Sequence, residues 1–168
     1  MIQADNFVRV VRQTLKQFEA QGGAKYSEEA VKLLVMIASH ESDRGTYLWQ
    51  VGGPALGVYQ EEPTTCRDVY DNFIRKNREL DFAVSKFLPN RKGLPNGDLT
   101  YLLITDIRFS TIMARCFFMR FKEPIPLDDA GLAYYAKKYW NTSEGKASVA
   151  DYIHAYRRTK AGLKEEVL

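Results

Sequence analysis

Apolar residues recur along this chain at helical rather than strand spacing. Phe7, Val11, Leu15 and Phe18 mark one face of an amphipathic first helix. Gln21-Gly22-Gly23 is a stop signal for it, since glycine favours helix ends. Ser27 then predicts an N-cap, with Glu28 and Glu29 suited to the positive end of the dipole. The helix they open carries Leu33-Leu34-Val35-Met36-Ile37-Ala38, apolar nearly all round, so it is expected to be central and buried. Residues 45–63 break the pattern with glycines and prolines and predict a loop, or a small hairpin near 46–60.

Further along, Thr65-Cys66-Arg67-Asp68 reads as a capping box opening a helix to about Arg75. Glu79 to Leu88 predicts a short helix, and Pro89 to Gly97 a loop. Asp98 is expected to cap a second buried helix, whose wide apolar face runs from Leu99 through Leu102, Leu103, Ile107, Ile112, Met113 and Cys116 to Phe117. Glu123-Pro124-Ile125-Pro126 stops it. Asp128 to Tyr139 predicts another helix, and Ser148-Val149-Ala150-Asp151 opens the last one. With no strand pattern of any length, the expected class is all-α, in one domain over 1–168.

Composition narrows the class of partner. The 168 residues are 45% hydrophobic and 27% charged, as in ordinary globular proteins. A net charge of +3 suits an acidic polymer, but no dense Lys/Arg stripe argues for nucleic acid. Arg157-Arg158-Thr159-Lys160 reads as a solvated helix end, with cations at the negative end of the dipole. Cys66 and Cys116 fit no metal spacing and are expected to be buried free thiols. The N-terminal segment has no basic-then-apolar signal sequence, and no apolar run approaches the ~20 residues that span a bilayer.

The candidate chemistry sits where the central helix meets the loop. Glu41 follows the apolar run within Ala38-Ser39-His40-Glu41-Ser42-Asp43. A carboxylate at a helix C-terminus faces the negative end of the dipole, and the apolar helix behind it adds desolvation. Both raise its pKa toward the ~6–7 range useful to a general acid. The plain alternative is an ordinary helix-end carboxylate. His40 and His154 lie far apart, supporting neither a two-histidine metal site nor a Ser-His-Asp triad. His40, adjacent to Glu41, is expected to point to a different side of the helix and to be structural or wall-facing.

Glu41-Ser42, followed by Gly53-Pro54-Ala55-Leu56-Gly57-Val58-Tyr59-Gln60-Glu61-Glu62-Pro63-Thr64-Thr65, is similar to the signature of the lytic transglycosylases, a branch of the lysozyme-like superfamily. Gly53, Ala55, Gly57, Gln60, Pro63 and Thr65 match that signature, and Val58-Tyr59 replaces its Leu-Met pair. The family's Ala-Tyr-Asn-Ala-Gly element resembles Ala133-Tyr134-Tyr135-Ala136-Lys137, where Tyr134 matches but the asparagine and the glycine do not, and Tyr139-Trp140-Asn141-Thr142 just beyond is an alternative source of polar groups. The resemblance spans roughly residues 27–142 and leaves the first 25 residues outside its motifs. It implies a lysozyme-like domain that cleaves peptidoglycan with Glu41 as the single acid/base, and no metal or cofactor. Ser42 would orient the site. Gly57, Val58, Tyr59 and Gln60 would bind sugar amide and hydroxyl groups, and Tyr134 with Tyr135 would approach the glutamate.

The motifs also look like those of bacteriophage proteins. That implies a chain made in the host cytoplasm and delivered in a virion or released to the periplasm and wall, with other virion proteins as possible partners. Two rivals remain open. One is a hydrolytic muramidase on the same fold, with water positioned by Asp43, Glu61 or Glu62. The other is a virion structural protein, of tail or baseplate, that keeps the fold and not the activity.

Overall fold

The computed structural model describes residues 2–89, 98–142 and 145–164. Among them the chain forms eight α-helices and no strand, so the all-α expectation holds. The first helix, α1 (Ala4–Ala20), buries Phe7, Val8, Val11, Leu15 and Phe18 on one face, as the spacing predicts. The second, α2 (Glu28–Glu41), starts where Ser27 Oγ accepts the Ala30 N–H at 3.2 Å. From Ala30 to Ser39 every residue of α2 except Lys32 is buried, which a surface helix with one apolar stripe cannot do. Arg12 of α1 forks onto Glu28 at 3.0 and 2.8 Å and ties the start of α2 to its neighbour.

The last helix, α8 (Val149–Ala161), packs along α2, with α7 (Asp129–Ala136) beside both. Its start carries the expected reciprocal box: Ser148 Oγ accepts the Asp151 N–H, and the Asp151 carboxylate accepts the Ser148 N–H. The far face of α1 rests on α6 (Ile107–Phe118). Thus α2 is enclosed by α1, α6, α7 and α8, and only its ends reach the surface. At its C-terminal end, Ser39 Oγ bonds Thr159 Oγ1 of α8 at 2.7 Å, and the Arg44 guanidinium also donates to Thr159. Thr159 is therefore a buried tie within the basic run, not part of a solvated helix end.

Several boundaries differ from the pattern. The helix expected from Thr65 begins two residues earlier, as α3 (Pro63–Asp68), with Pro63 in the first turn where its missing N–H is no loss. No side chain caps it, so the Thr65–Asp68 box is not made. It continues as a wide π-helical turn over Val69–Ile74. The expected short helix is α4 (Arg78–Ser85). The expected loop over 89–97 lies outside the described residues from 90 onward.

Asp98 does cap, accepting the Thr100 N–H at 3.0 Å, but it opens a 3-10 turn (Leu99–Tyr101) and the short α5 (Leu102–Thr105). The single helix expected from there is broken at Asp106. This residue leaves helical geometry at φ −133° and ψ 104°, and its carboxylate accepts the N–H groups of Arg108 and Phe109. The apolar pattern runs through the break because both pieces bury the same side. Both cysteines are buried free thiols, as expected. No described helix is long and apolar enough to cross a membrane.

Replacing Asp106 by alanine removes two hydrogen bonds to the start of α6. The expected loss is about 1 kcal/mol, read in a thermal melt as a fall in Tm of roughly 2–4 °C.

Candidate active site

The end of α2 is shaped by one small side chain. Ser42 Oγ donates to Val58 O at 2.6 Å and accepts the Gly45 N–H at 2.9 Å. Asp43, Arg44 and Gly45 all take positive φ, at 45°, 55° and 87°, so the chain reverses tightly after the helix. It then runs as a short irregular meander with isolated antiparallel bridges, Trp49 to Leu56 and Leu56 to Glu61, in place of a regular hairpin. Gly57 sits at φ +74°, and a Cβ there would collide with the carbonyl oxygen of Leu103, so the position admits only glycine. Its N–H bonds Leu48 O at 2.8 Å.

Between this meander and the segment after α7 lies a cleft of about 750 Å³. Its lining includes His40, Glu41, Gln60, Trp140, Asn141 and Lys146. A π-helical turn over Lys137–Asn141 continues α7 and forms part of the wall. Trp140 spans the cleft base: its Nε1–H donates to Tyr59 O at 3.2 Å, and its ring stacks on Phe118.

Glu41 is partly buried at the inner end of the cleft. Burial pushes its carboxyl pKa up, against a smaller opposing effect from the Tyr152 hydroxyl, which donates to Oε1 at 2.6 Å. Tyr152 lies on α8 and is fully buried, and its phenol is itself pushed far up by burial and by the carboxylate it faces. His40 also lines the cleft, with its ring 4.2 Å from that of Tyr152, centroid to centroid. Burial holds the His40 pKa below its ordinary value, more than nearby Asp151 raises it, so the ring is neutral at neutral pH. At Glu41 the cleft therefore presents a desolvated carboxyl with its Oε1 held by a phenol. That is the arrangement of a proton donor with one oxygen fixed and the other free.

The expected site residues divide into three groups. Glu41 and Gln60 face the cleft. Gln60 adopts φ 50°, and its Nε2 donates to Gly57 O at 2.8 Å. Ser42, Gly57, Val58 and Tyr59 lie behind it and build the loop. Val58 O is taken by Ser42, and Tyr59 is buried with its hydroxyl on Thr111 Oγ1 at 3.0 Å. Tyr134 and Tyr135 are not among the cleft residues. Tyr134 is 60% exposed, and Tyr135 is buried with its hydroxyl on Glu123 O at 3.1 Å. The tyrosine that reaches Glu41 is Tyr152, a residue the sequence reading passed over. The Ser148–Asp151 box fixes where α8 starts, so it also placed Tyr152 at the fourth position of a helix; nothing in the pattern said which helix α8 packs against.

No family model, no curated protein and no solved structure matches this chain. The reading of the site therefore rests on its own geometry and on the motifs above. The described residues contain no group of three or more His, Cys, Asp and Glu side chains placed to hold a metal ion.

A second carboxyl of the cleft lining, Glu61, makes no hydrogen bond among the described residues. Both oxygens of Glu61 are buried without a hydrogen bond, as is Arg120 Nε, while Arg120 Nη1 bonds Asp68 at 2.7 Å. Burial pushes the Glu61 pKa up to about 8, against the attraction of Arg120. A group with its pKa raised in the folded state holds a proton that the unfolded chain releases from about pH 4.5. Stability from this group is thus present at low pH and lost as pH rises towards 8. The slope is on the order of 1.4 kcal/mol per pH unit within that window. Glu61→Gln should flatten the decline of denaturant-derived stability between pH 5 and 8 relative to wild type.

Proposed function

We propose that the chain cleaves the β-1,4 bond between N-acetylmuramic acid and N-acetylglucosamine in peptidoglycan, as a lytic transglycosylase. The observation that carries this reading is Glu41: a carboxyl with raised pKa, inside a cleft, with one oxygen held by the Tyr152 hydroxyl. The loop motif that flanks it supports the same reading, because the matching residues Gly57 and Gln60 are those that give the loop its shape.

In the proposed reaction Glu41 gives its proton to the glycosidic oxygen, and the bond to the muramic anomeric carbon breaks. The neighbouring N-acetyl group stabilises the developing positive charge. Glu41, now ionised, accepts the proton of the muramic 6-hydroxyl as that oxygen attacks the same carbon. The products are a 1,6-anhydro end and a free 4-hydroxyl, and Glu41 is again protonated. Tyr152 does not transfer a proton. It donates a hydrogen bond to Oε1 that strengthens as the carboxylate forms. The cycle as proposed uses neither water nor a cofactor.

A hydrolytic muramidase is the second reading, and one observation favours keeping it. Of its three candidate carboxylates, Asp43 pairs with Arg44 at 3.0 Å away from the cleft lining, and Glu61 belongs to that lining but keeps both of its oxygens buried. Glu62 is exposed and lines the cleft, so it is the carboxylate available to position a water molecule.

Product analysis separates the readings. Wild-type protein incubated with purified peptidoglycan should release anhydro-muropeptides detectable by mass spectrometry, and Glu41→Gln should release none while keeping its circular dichroism and Tm. Reducing ends in place of anhydro ends would move the assignment to the hydrolase. No release by either protein would leave a structural role. Tyr152→Phe should slow turnover by roughly 10- to 100-fold. Since the phenol favours ionised Glu41, its loss raises the Glu41 pKa further, so the alkaline limb of the pH–rate profile moves to higher pH.

A further inference from the structure

The stretch before the cleft exposes large apolar side chains that the core does not use. Tyr47, Trp49 and Val51 are 56%, 61% and 91% exposed. Alternate residues of an extended segment share a side, and Leu48 between them packs inward against the core. The two rings are not dangling. Their backbone is held by Gly57 N–H on Leu48 O at 2.8 Å, by Gln50 N–H on Ala55 O at 2.9 Å, and by the Gln60 amide on Tyr47 O at 3.4 Å. Gln50 also clamps the turn, its Oε1 accepting the Ala55 N–H at 3.1 Å. Trp140, the other tryptophan, is embedded against Phe117 and Phe118, whereas Trp49 and Tyr47 enter no ring–ring contact among the described residues.

The position of this surface points to its occupant. Gln50, Val51 and Gly52 line the cleft, so Trp49 lies one residue outside its edge on the same hydrogen-bonded segment. A polymer held in the cleft across Glu41 and leaving by that side passes over it. We propose that Tyr47 and Trp49 form an outlying saccharide subsite, a platform on which the glycan strand leaving the cleft lays a sugar ring. This rests on the wall-cleaving reading above. A pyranose ring has an apolar C–H face and a polar rim. An exposed aromatic face takes the former while the hydroxyls stay in water, and the rigid indole loses little conformational freedom on binding. Such a subsite sets a preference for chain length and touches none of the reacting atoms.

The test uses the full chain carrying Glu41→Gln, so that bound sugar is not turned over, and chitin oligomers from dimer to hexamer as probes in calorimetric titration. The parent should bind longer oligomers more tightly. Adding Trp49→Ala should weaken the hexamer by about three- to tenfold and leave the dimer unchanged. Trp49→Phe should restore most of the loss, because a flat ring remains. Trp49 is exposed and outside the core, and matched Tm values check that each variant folds. If the parent binds and Trp49→Ala leaves the length dependence unaltered, the platform is overturned and the patch belongs to a protein neighbour. If the parent binds no oligomer and the wild type releases nothing from peptidoglycan, the cleavage reading itself fails and the platform falls with it.

Discussion

The hydroxyl of Ser42 is the joint on which the site depends. It links the end of the buried helix α2 to the backbone of Val58 and to the turn at Gly45. Arg44 is held separately, its N–H on Ala38 O at 3.0 Å, but without the Ser42 hydroxyl the meander that shapes the cleft would lose its tie to the end of α2 beside Glu41. A hydrogen bond of this kind is worth only ~1 kcal/mol net in stability. Its effect here is geometric: it fixes the register of two segments sixteen residues apart.

Glu41 owes its chemistry to burial that the rest of the domain provides. Apolar residues surround α2 on every side, so its last turn emerges into a region of low polarity. Desolvation and the negative end of the helix act in the same direction on the carboxyl, and the Tyr152 hydroxyl opposes them only in part. The balance matters. A carboxyl with no hydrogen bond at all, as at Glu61, is pushed further and has no route to give up its proton usefully. The phenol favours the ionised form of Glu41 and so works against the burial that favours the neutral one.

Much of this was legible in the sequence, for identifiable reasons. The caps at Ser27, Asp98 and Ser148 were read from local chemistry that acts within one helical turn, and all three form. The central helix was read from its all-round apolar run, since exposure of such a helix would cost too much. Glu41 and Gln60 were placed in the cleft by motif and chain position. The break at Asp106 was hidden because the apolar side continues across it, and the start of α3 because Pro63 competes with Thr65 as a signal. Tyr152 was hidden for a deeper reason. Its partner is 111 residues away, and only the packing of α8 against α2 brings them together. The tyrosines read as neighbours of Glu41, Tyr134 and Tyr135, are on a helix that presents them elsewhere.

The contact of Gly57 with the carbonyl of Leu103 bears on how a polymer gets in. That glycine presses the cleft loop directly onto the main chain of α5, leaving no side chain that could rotate aside. A wall bolted in this way cannot swing as a lid. On that side of the cleft the proposed glycan would meet a wall held at a fixed place, and would lie along it without that loop folding over the strand.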